Sequence, residues 1–265
     1  MTLTNELKSL KKVECPDGKC VLTVYLNTDP ADMDQQKGEW KIRLKNGLNR
    51  IEEYIEASGS QDELKAYQKL KKQVDNEIKG NRPNLAKSVV IFASDHEDLW
   101  SVHYLQVPTE TNFYWEPTPQ LDELKQVQEK FPRSGIVMPN NDEVRIIDTS
   151  FGEVNEEWVF EFDSNKEEWN LSDGMASKDR QASSATHVDK FKQRFEENKY
   201  RFYKDMAQKV EKLRKEAGWH ELNIVAEADA ARTFADVLQT EPARIVQKNL
   251  NGAESSKILS EVFER

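Results

Sequence analysis

A helical pattern in the second half of the chain constrains the fold more than any other feature. Apolar residues recur there at intervals of three or four, with one gap of seven, at positions 188, 191, 195, 202, 206, 210 and 213. This is the period of an amphipathic helix. Residues 187–217 are therefore predicted to form one helix of about 30 residues, about 45 Å long. Gly218 is expected to end it.

Strands with alternating or continuous apolar residues surround this helix. Before it we predict three strands, in GIVMP, EVRIIDTS and EEWVFEF. After it we predict a strand over 219–226, a helix in ARTFADVL, a strand in ARIVQKNL and a helix in ESSKILSEVFER. The second half is therefore a mixed arrangement of strands and helices around one long helix.

The first half is also predicted to mix strands and helices. Its helices are expected at 3–12, 40–57, QDELKAYQKLKKQVDNEIKG and 121–131, and its strands in CVLTVYLNTDP, SVVIFAS and DLWSVHYLQV. TNFYWEPTPQLDEL is interpreted as a Pro-rich crossing segment. The PRSG stretch is a plausible boundary, so we predict an α/β protein with two domains, 1–133 and 134–265.

Composition narrows the class of protein. Charged residues make up 32% and hydrophobic residues 37% of the chain, enough apolar material for a core. No apolar run approaches the roughly 20 residues of a membrane span, and the first residues lack the apolar stretch of a secretory signal. We therefore expect a cytoplasmic protein without a membrane partner. No phosphate-binding glycine motif and no nucleophile–histidine grouping is evident, and no cofactor or metal is expected.

The two cysteines, Cys15 and Cys20, flank a Pro-Asp-Gly turn. Two thiols cannot complete a structural zinc site, which takes four ligands. In a cytoplasmic protein we expect both to be reduced.

The long helix and the residues before it are basic, although the chain carries a net charge of −10. Residues 178–215 contain twelve Lys or Arg and six Asp or Glu, a local charge of +6. Such a segment suits a phosphate backbone, because neutralised phosphates release counterions. The candidate RNA-binding residues are Lys178, Arg180, Lys190, Lys192, Arg194, Lys199 and Arg201, with Tyr200 beside them. The alternative is a solvated helix face in which pairs such as Glu197 and Arg201 interact.

A polar loop at 164–186 precedes this helix. It contains Gly174 and three long polar side chains, Lys178, Arg180 and Gln181, but no apolar periodicity across 173–187. Loop tips on a rigid scaffold are good sites for function. They are equally good sites for tolerated insertions.

The order of these segments resembles a known family. The stretch beginning HVDKFKQRFEENKYRFYKDMAQKVEKL, followed by GWHELNIVAEADAARTFADVL and EPARIVQKNL, looks like the middle domain of the archaeo-eukaryotic class-one release factors and Pelota, in its bacterial form. VLTVYLNTDP, SVVIFAS and WSVHYLQVP resemble the N-terminal module of the same bacterial relatives. The resemblance implies an RNase H-like topology for the second domain. It also implies that the third domain of the larger relatives is absent.

The resemblance further implies a role at the ribosome or on tRNA in rescue, release or hibernation. Active release factors carry Gly-Gly-Gln in the loop before the long helix, where the glutamine helps to place the water that cleaves peptidyl-tRNA. This chain has no Gly-Gly-Gln, and Gln181 is the only glutamine of the loop. Gln181 is therefore the one candidate catalytic residue, and hydrolysis depends on it. Relatives such as Pelota act on ribosomes without cutting the ester.

Three further interpretations stay open at this point. An RNase H-like nuclease would need converging carboxylates, for which Asp148, Glu161 and Asp163 are the candidates. The aromatics of TNFYWEP are expected to pack under the crossing segment, although they could also stack on bases. The chain could instead be a protein-binding adaptor without a nucleic-acid partner, with the long helix as its docking surface.

Overall fold

The computed structural model describes residues 2–16, 18–31, 38–58, 60–95, 98–163, 166–172 and 185–263, with the side chains of the long helix from residue 198 onward. The helices of these parts are α1 (Leu3–Leu10), α2 (Trp40–Ser58), α3 (Gln61–Gly80), α4 (Asp122–Lys130), α5 (Ala185–Ala217), α6 (Ala228–Val237) and α7 (Ser255–Phe263). The strands are β1 (Val21–Asn27), β2 (Ser88–Ala93), β3 (Trp100–Leu105), β4 (Asn112–Glu116), β5 (Ser134–Pro139), β6 (Glu143–Ser150), β7 (Glu153–Asp163), β8 (Glu168–Leu171), β9 (Glu221–Val225) and β10 (Arg244–Val246).

The chain divides into two compact units, each with its own sheet. Unit 1 comprises Met1–Phe131 and Phe151–Glu153, and unit 2 comprises Pro132–Ser150 and Val154–Arg265. The mixed α/β class predicted from the sequence is confirmed. Whether 1–133 and 134–265 fold as separate domains stays a prediction. Of the helices that the structure describes, none is both long enough and apolar enough to cross a membrane.

Unit 1 is built on a four-stranded antiparallel sheet with the order β3-β2-β1-β4. Alternate residues of each strand point to one face, which α2 and α3 cover. The core on that face includes Leu22 and Val24 of β1, Ile91 of β2, Leu44 of α2 and Val74 of α3, all fully buried. The apolar residues that recur every second position in the strands therefore pack against those that recur about every 3.6 positions in the helices, and together they form one apolar layer.

Gly47 sets how closely α2 approaches β4. A Cβ atom at this position would lie 2.3 Å from ring atoms of Phe113, closer than real contacts allow. The helix backbone therefore lies directly against the aromatic ring. A side chain at position 47 would force the helix and the strand apart.

The opposite face of the sheet holds a buried histidine between two carboxylates. His103 Nδ1 lies 2.8 Å from Glu153 Oε1, and its Nε2 lies 3.2 Å from Glu6 Oε2 on α1. Ser101 Oγ also contacts both His103 Nε2 (3.0 Å) and Glu6 Oε2 (2.5 Å). Burial lowers the pKa of His103, but the hydrogen bonds and charges of Glu153 and Glu6 outweigh burial and raise the pKa above its usual value.

This arrangement predicts a pH-dependent stability. A histidine whose pKa is raised by folding contributes stability that is fully present below its unfolded pKa of about 6.5 and is lost as pH rises through the folded pKa. We expect the free energy of unfolding, measured by urea titration between about pH 6 and 9, to fall with pH through this group. His103→Gln should remove that part of the slope, and the exposed His220, changed to Gln, should leave it intact. Equal slopes in both variants would contradict the assignment.

The prediction of two reduced cysteines is wrong. Cys15 and Cys20 form a disulfide, and no free cysteine remains in the part of the chain that the structure describes. The two Cα atoms lie 6.0 Å apart, a separation that a disulfide spans. The expectation of free thiols rested on the expected compartment and not on this distance.

Unit 2 is built on a six-stranded mixed sheet with the order β10-β9-β5-β6-β7-β8. The central strand β5 pairs antiparallel with β6 and parallel with β9, and β9 pairs parallel with β10. Three strands in succession on one side of β5 and two helix-connected parallel strands on the other give the RNase H-like topology that the family resemblance implied. The long helix α5 follows β8 and precedes β9.

A buried carboxylate joins the beginnings of β5 and β9. Asp148 of β6 is 1% exposed and accepts hydrogen bonds from Arg133 Nε (3.0 Å), Arg133 Nη2 (2.5 Å) and Trp219 Nε1 (2.7 Å). Trp219 in turn covers Gly135, where a Cβ would lie 2.3 Å from the indole ring. Three donors on one carboxylate leave it satisfied inside the protein.

The described residues give no support to the nuclease interpretation. Asp148 is paired with Arg133, and Glu161 accepts a hydrogen bond from Ser172 on the opposite part of the sheet. Across the described residues, no group of three His, Cys, Asp or Glu side chains is placed to hold a metal ion.

Two strands were missed by the sequence analysis. The aromatic crossing segment contains β4, which pairs with β1 through Trp115 and Leu22. The predicted loop 164–186 contains β8, which pairs with β7 and buries Trp169. In both cases the strand is short and lies at a sheet edge, next to Pro-rich or charged segments that do not alternate. The expected packing role of Phe113 and Trp115 is confirmed, since both belong to the core of unit 1.

Asp148→Ala tests the buried cluster. Removing the carboxylate leaves Arg133 and the Trp219 N–H without their partner, and we expect the free energy of unfolding to drop by about 2–4 kcal/mol. The exposed Asp205→Ala is the control and should change it by less than about 0.5 kcal/mol. Urea denaturation of both variants measures the difference. A change below about 1 kcal/mol for Asp148→Ala would mean that the cluster contributes little.

Candidate nucleic-acid interface

The described part of α5 has one apolar side that packs on the sheet of unit 2. Phe202, Tyr203, Met206 and Val210 are 2% exposed or less and belong to the core of this unit. They recur at intervals of one, three and four, which keeps them on a single side of the helix. The solvent-facing side of the described part of α5 is mainly cationic or polar, with Arg201, Lys204, Lys209, Lys212 and Lys215 exposed.

Lys199 does not belong to the solvent-facing set. Its side chain is only 10% exposed, and its Nζ lies 2.6 Å from Asp229 Oδ2 on α6. The hydrogen bond and the charge of Lys199 lower the pKa of Asp229. Lys199 therefore ties α5 to α6, and its charge is already matched inside the fold.

Arg201 is placed differently. Its side chain is 57% exposed, and its Nη2 lies 2.5 Å from Glu167 Oε2 in the turn before β8. The guanidinium also lies 4.8 Å from the ring centroid of Phe202. An exposed ion pair of this kind is worth little in water, so Arg201 can exchange Glu167 for another anion at small cost.

Aromatic side chains hold β8 against α5 at this point. Trp169 Nε1 donates a 2.9 Å hydrogen bond to the carbonyl of Phe202, and the Phe162 ring lies 5.1 Å from Trp169 and 4.4 Å from Phe202 between centroids. Tyr200 and Leu171 remain more than half exposed beside this cluster. This packed aromatic cluster therefore carries three exposed side chains, those of Arg201, Tyr200 and Leu171.

The far end of α5 carries charges that are paired locally. Lys212 Nζ lies 3.7 Å from Glu216, and Arg214 Nε lies 3.2 Å from Glu211. Burial raises the pKa of Glu211, but the hydrogen bonds from Thr240 and Arg214 outweigh burial and lower it overall. The solvated-face alternative therefore describes this end of the helix well.

The other candidate residues cannot be compared with the prediction in the same way. Gly174, Lys178, Arg180 and Gln181 lie outside the described residues. Lys190, Lys192 and Arg194 belong to α5 by their backbone, and their side chains also lie outside the described part. The structure thus brings Arg201 and Tyr200 to the surface and separates Lys199 from them. The assignment of these residues to RNA stays a prediction.

A family model for bacterial archaeo-eukaryotic release factor family 5 matches residues 132–264, half of the chain. The chain belongs to this family. It is also 28% identical over 264 residues to the uncharacterized protein YocB of Bacillus subtilis (strain 168), and the match covers 100% of this chain and 99% of YocB. The resemblance stated from the sequence is therefore confirmed.

Two solved structures are similar over 98% of this chain and 72% of their own. They are the archaeal translation termination factor aRF1, with a TM-score of 0.37 at 12% identity, and an archaeal protein, with a TM-score of 0.34 at 13% identity.

The sequence did not predict the carboxylates that pair with Lys199 and Arg201, and these partners determine which cations are accessible to a ligand. Asp229 lies 30 positions from Lys199, and Glu167 lies 34 positions from Arg201. Helical spacing suggested only nearby partners, Glu196 for Lys199 and Glu197 for Arg201. A signal for Lys199 existed in the apolar period, because position 199 fills the gap of seven between 195 and 202.

Asp229→Asn tests the structural role of Lys199. The change removes the counter-charge of Lys199, and because Asp229 is itself 80% exposed, solvent screens much of this interaction; we expect the free energy of unfolding to fall by about 0.5–1 kcal/mol. Asp236→Asn, on the exposed side of the same helix, is the matched control and should be neutral. Lys199→Met combined with Asp229→Asn should recover part of the loss, because the buried charge is then absent. Identical unfolding curves for Asp229→Asn and Asp236→Asn would rule out this role.

Proposed function

We propose that this member of the release factor family is a cytoplasmic factor that associates with the ribosome or its tRNA through the loop 164–186 and the first half of α5. The observation that carries the proposal is the charge contrast within the family-matched half, where a segment of +6 belongs to a chain of −10. An anionic body opposes non-specific contact with RNA. One cationic segment on such a body restricts contact to a single orientation.

The described contacts support different roles for the two ends of α5, one in holding the fold together and the other in binding RNA. From residue 199 onward the helix is fixed to α6 by Lys199 and to the sheet by Phe202, Tyr203 and Met206. Near its end, Lys212 is paired with Glu216 and Arg214 with Glu211. The cations assigned to RNA are therefore those of the first half, Lys190, Lys192 and Arg194, together with Arg201 at the edge of the fixed part.

Catalysis is a separate question from association. Gln181 is the only glutamine of the loop, and the glycines that would let the backbone approach RNA closely are missing around it. We therefore propose association as the primary activity, and we assign any hydrolysis of the peptidyl-tRNA ester to Gln181. The adaptor alternative, in which α5 docks a protein, is an outcome of the same experiment.

Co-sedimentation with ribosomes over a salt series tests the association. Binding should weaken steeply between about 50 and 200 mM salt, since each phosphate contact adds about 0.7–0.9 to the slope of log K against log salt. Lys190→Gln with Arg194→Gln should lower that slope by about 1.4–1.8. The matched control is Lys212→Gln with Lys215→Gln, at the far end of the same helix, and it should keep the parent slope.

Two results would contradict the proposal. A parent protein that stays in the supernatant at about 50 mM salt does not bind ribosomes under conditions that favour phosphate contacts. Equal slopes for both double variants would mean that the first half of α5 is not the contact, in line with the adaptor alternative. If the parent binds, single-turnover cleavage of peptidyl-tRNA by Gln181→Ala and by the parent decides whether hydrolysis accompanies association.

A further inference from the structure

Trp100 of unit 1 is exposed in a way that the other described tryptophans are not. It is 43% exposed, whereas Trp40, Trp115, Trp169 and Trp219 are all 7% exposed or less and Trp158 is half-buried. An exposed indole costs solvation free energy that burial would recover. Its position at the start of the edge strand β3 therefore calls for a closer look at its surroundings.

The strand register places Trp100 on the face of the sheet that α3 covers. Trp100 pairs with Ala93, Val102 with Ile91 and Tyr104 with Val89, and the three partners on β2 all belong to the core under the helices. Trp100 is the outermost member of this row. It lines a cleft of about 470 Å³ together with Gln73, Asn76, Glu77 and Asn81.

The polar side chains of this cleft differ in whether they have a hydrogen-bond partner within the described protein. Glu77 Oε1 accepts hydrogen bonds from Tyr104 Oη (3.0 Å) and Asn81 Nδ2 (2.7 Å), so the floor of the cleft is held in place. Gln73 and Asn76 are exposed, and among the described residues neither amide has a protein partner. Each primary amide offers both a donor and an acceptor, which is the pattern that the edge of a nucleobase presents.

Two cations neighbour residues that line the cleft, although neither lines it: Lys72 lies one helical turn before Asn76, and Arg82 comes directly after Asn81. Both are exposed, and neither is engaged in an ion pair within the described parts of the chain. Lys69 and Lys79, by contrast, lie 3.0 Å from Asp95 and 2.7 Å from Asp75. Lys72 and Arg82 are therefore exposed cations without an ion pair, next in the fold to residues of the cleft.

We propose that this cleft binds a nucleotide, with its base stacked on Trp100, the base edge on Gln73 and Asn76, and its phosphate near Lys72 or Arg82. An aromatic face with amides would also suit a sugar, but a neutral sugar would make no use of the two cations. The site lies in unit 1, outside the residues matched by the family model, and it does not depend on the proposed role of α5.

The nucleotide has two sources, a free mononucleotide or one residue of an RNA strand, and a titration separates them. The probes are AMP, the RNA trinucleotide of adenosine and glucose, and the readout is quenching of tryptophan fluorescence. AMP and the trinucleotide should quench, because a base stacks on the exposed indole, and glucose should not. Similar dissociation constants for both nucleotides identify a free nucleotide as the ligand. Tighter binding of the trinucleotide, with a salt slope reduced by about 1.4 in Lys72→Gln with Arg82→Gln, identifies a strand.

Variants connect the signal to the cleft. Trp100→Leu should weaken binding of fluorescently labelled AMP or trinucleotide at least about tenfold by anisotropy, because base stacking is lost, and Trp100→Phe should retain most of it. Gln73→Ala with Asn76→Ala should also weaken binding. Tyr54→Leu is the matched control, an exposed aromatic of α2 that is remote in sequence and should bind as the parent does.

Three results would overturn the inference. They are no quenching by either nucleotide up to millimolar concentration, equal binding by Trp100→Leu and the parent, or competition by glucose. Because Trp100 is exposed, far-UV circular dichroism should show the parent fold in each variant. Ribosome co-sedimentation of Trp100→Leu keeps this test separate from the proposed role of α5, which predicts an unchanged salt slope.

Discussion

The contact between the apolar side of α5 and the sheet of unit 2 governs the rest of that unit. Phe202, Tyr203 and Met206 are essentially removed from water, and each side chain of this size stabilises the fold by about 1.5–3 kcal/mol when buried. This contact fixes the rotation of the helix about its axis. The rotation places Lys199 toward the protein interior and Arg201 toward solvent. One packing contact therefore determines which cations stabilise the fold and which are accessible to a ligand.

That sorting changes what the charge of the segment means. A count of lysines and arginines treats all twelve as equivalent, but Lys199, Arg214 and Lys212 each lie within 4 Å of a carboxylate. Of the described cations of this helix, Lys204, Lys209 and Lys215 are exposed, and Arg201 has an exposed ion pair with Glu167. One helix can therefore carry a core side and a charged side, without a break in its backbone.

The sequence predicted the elements whose signal is local. The period of α5, the continuous apolar run of β2 and the paired helices α2 and α3 follow from neighbouring residues, and all are present. The strands β4 and β8 were missed because a sheet edge is defined by its partner and not by its own alternation. The partners of Lys199, Arg201 and Asp148 were missed because they come from other elements, and only the folded topology brings them together. The disulfide was not predicted, because the expected cytoplasmic location was taken to decide the redox state of the two cysteines and their closeness in the fold was not considered.

Gly47 and the ring of Phe113 illustrate a constraint that a single sequence does not reveal. The two positions share one volume, so the absence of a side chain at one is the condition for an aromatic ring at the other. Evolution can change such a pair only together. In relatives of this protein, position 47 and position 113 should therefore vary as a correlated pair, with a larger residue at the first accompanied by a smaller one at the second.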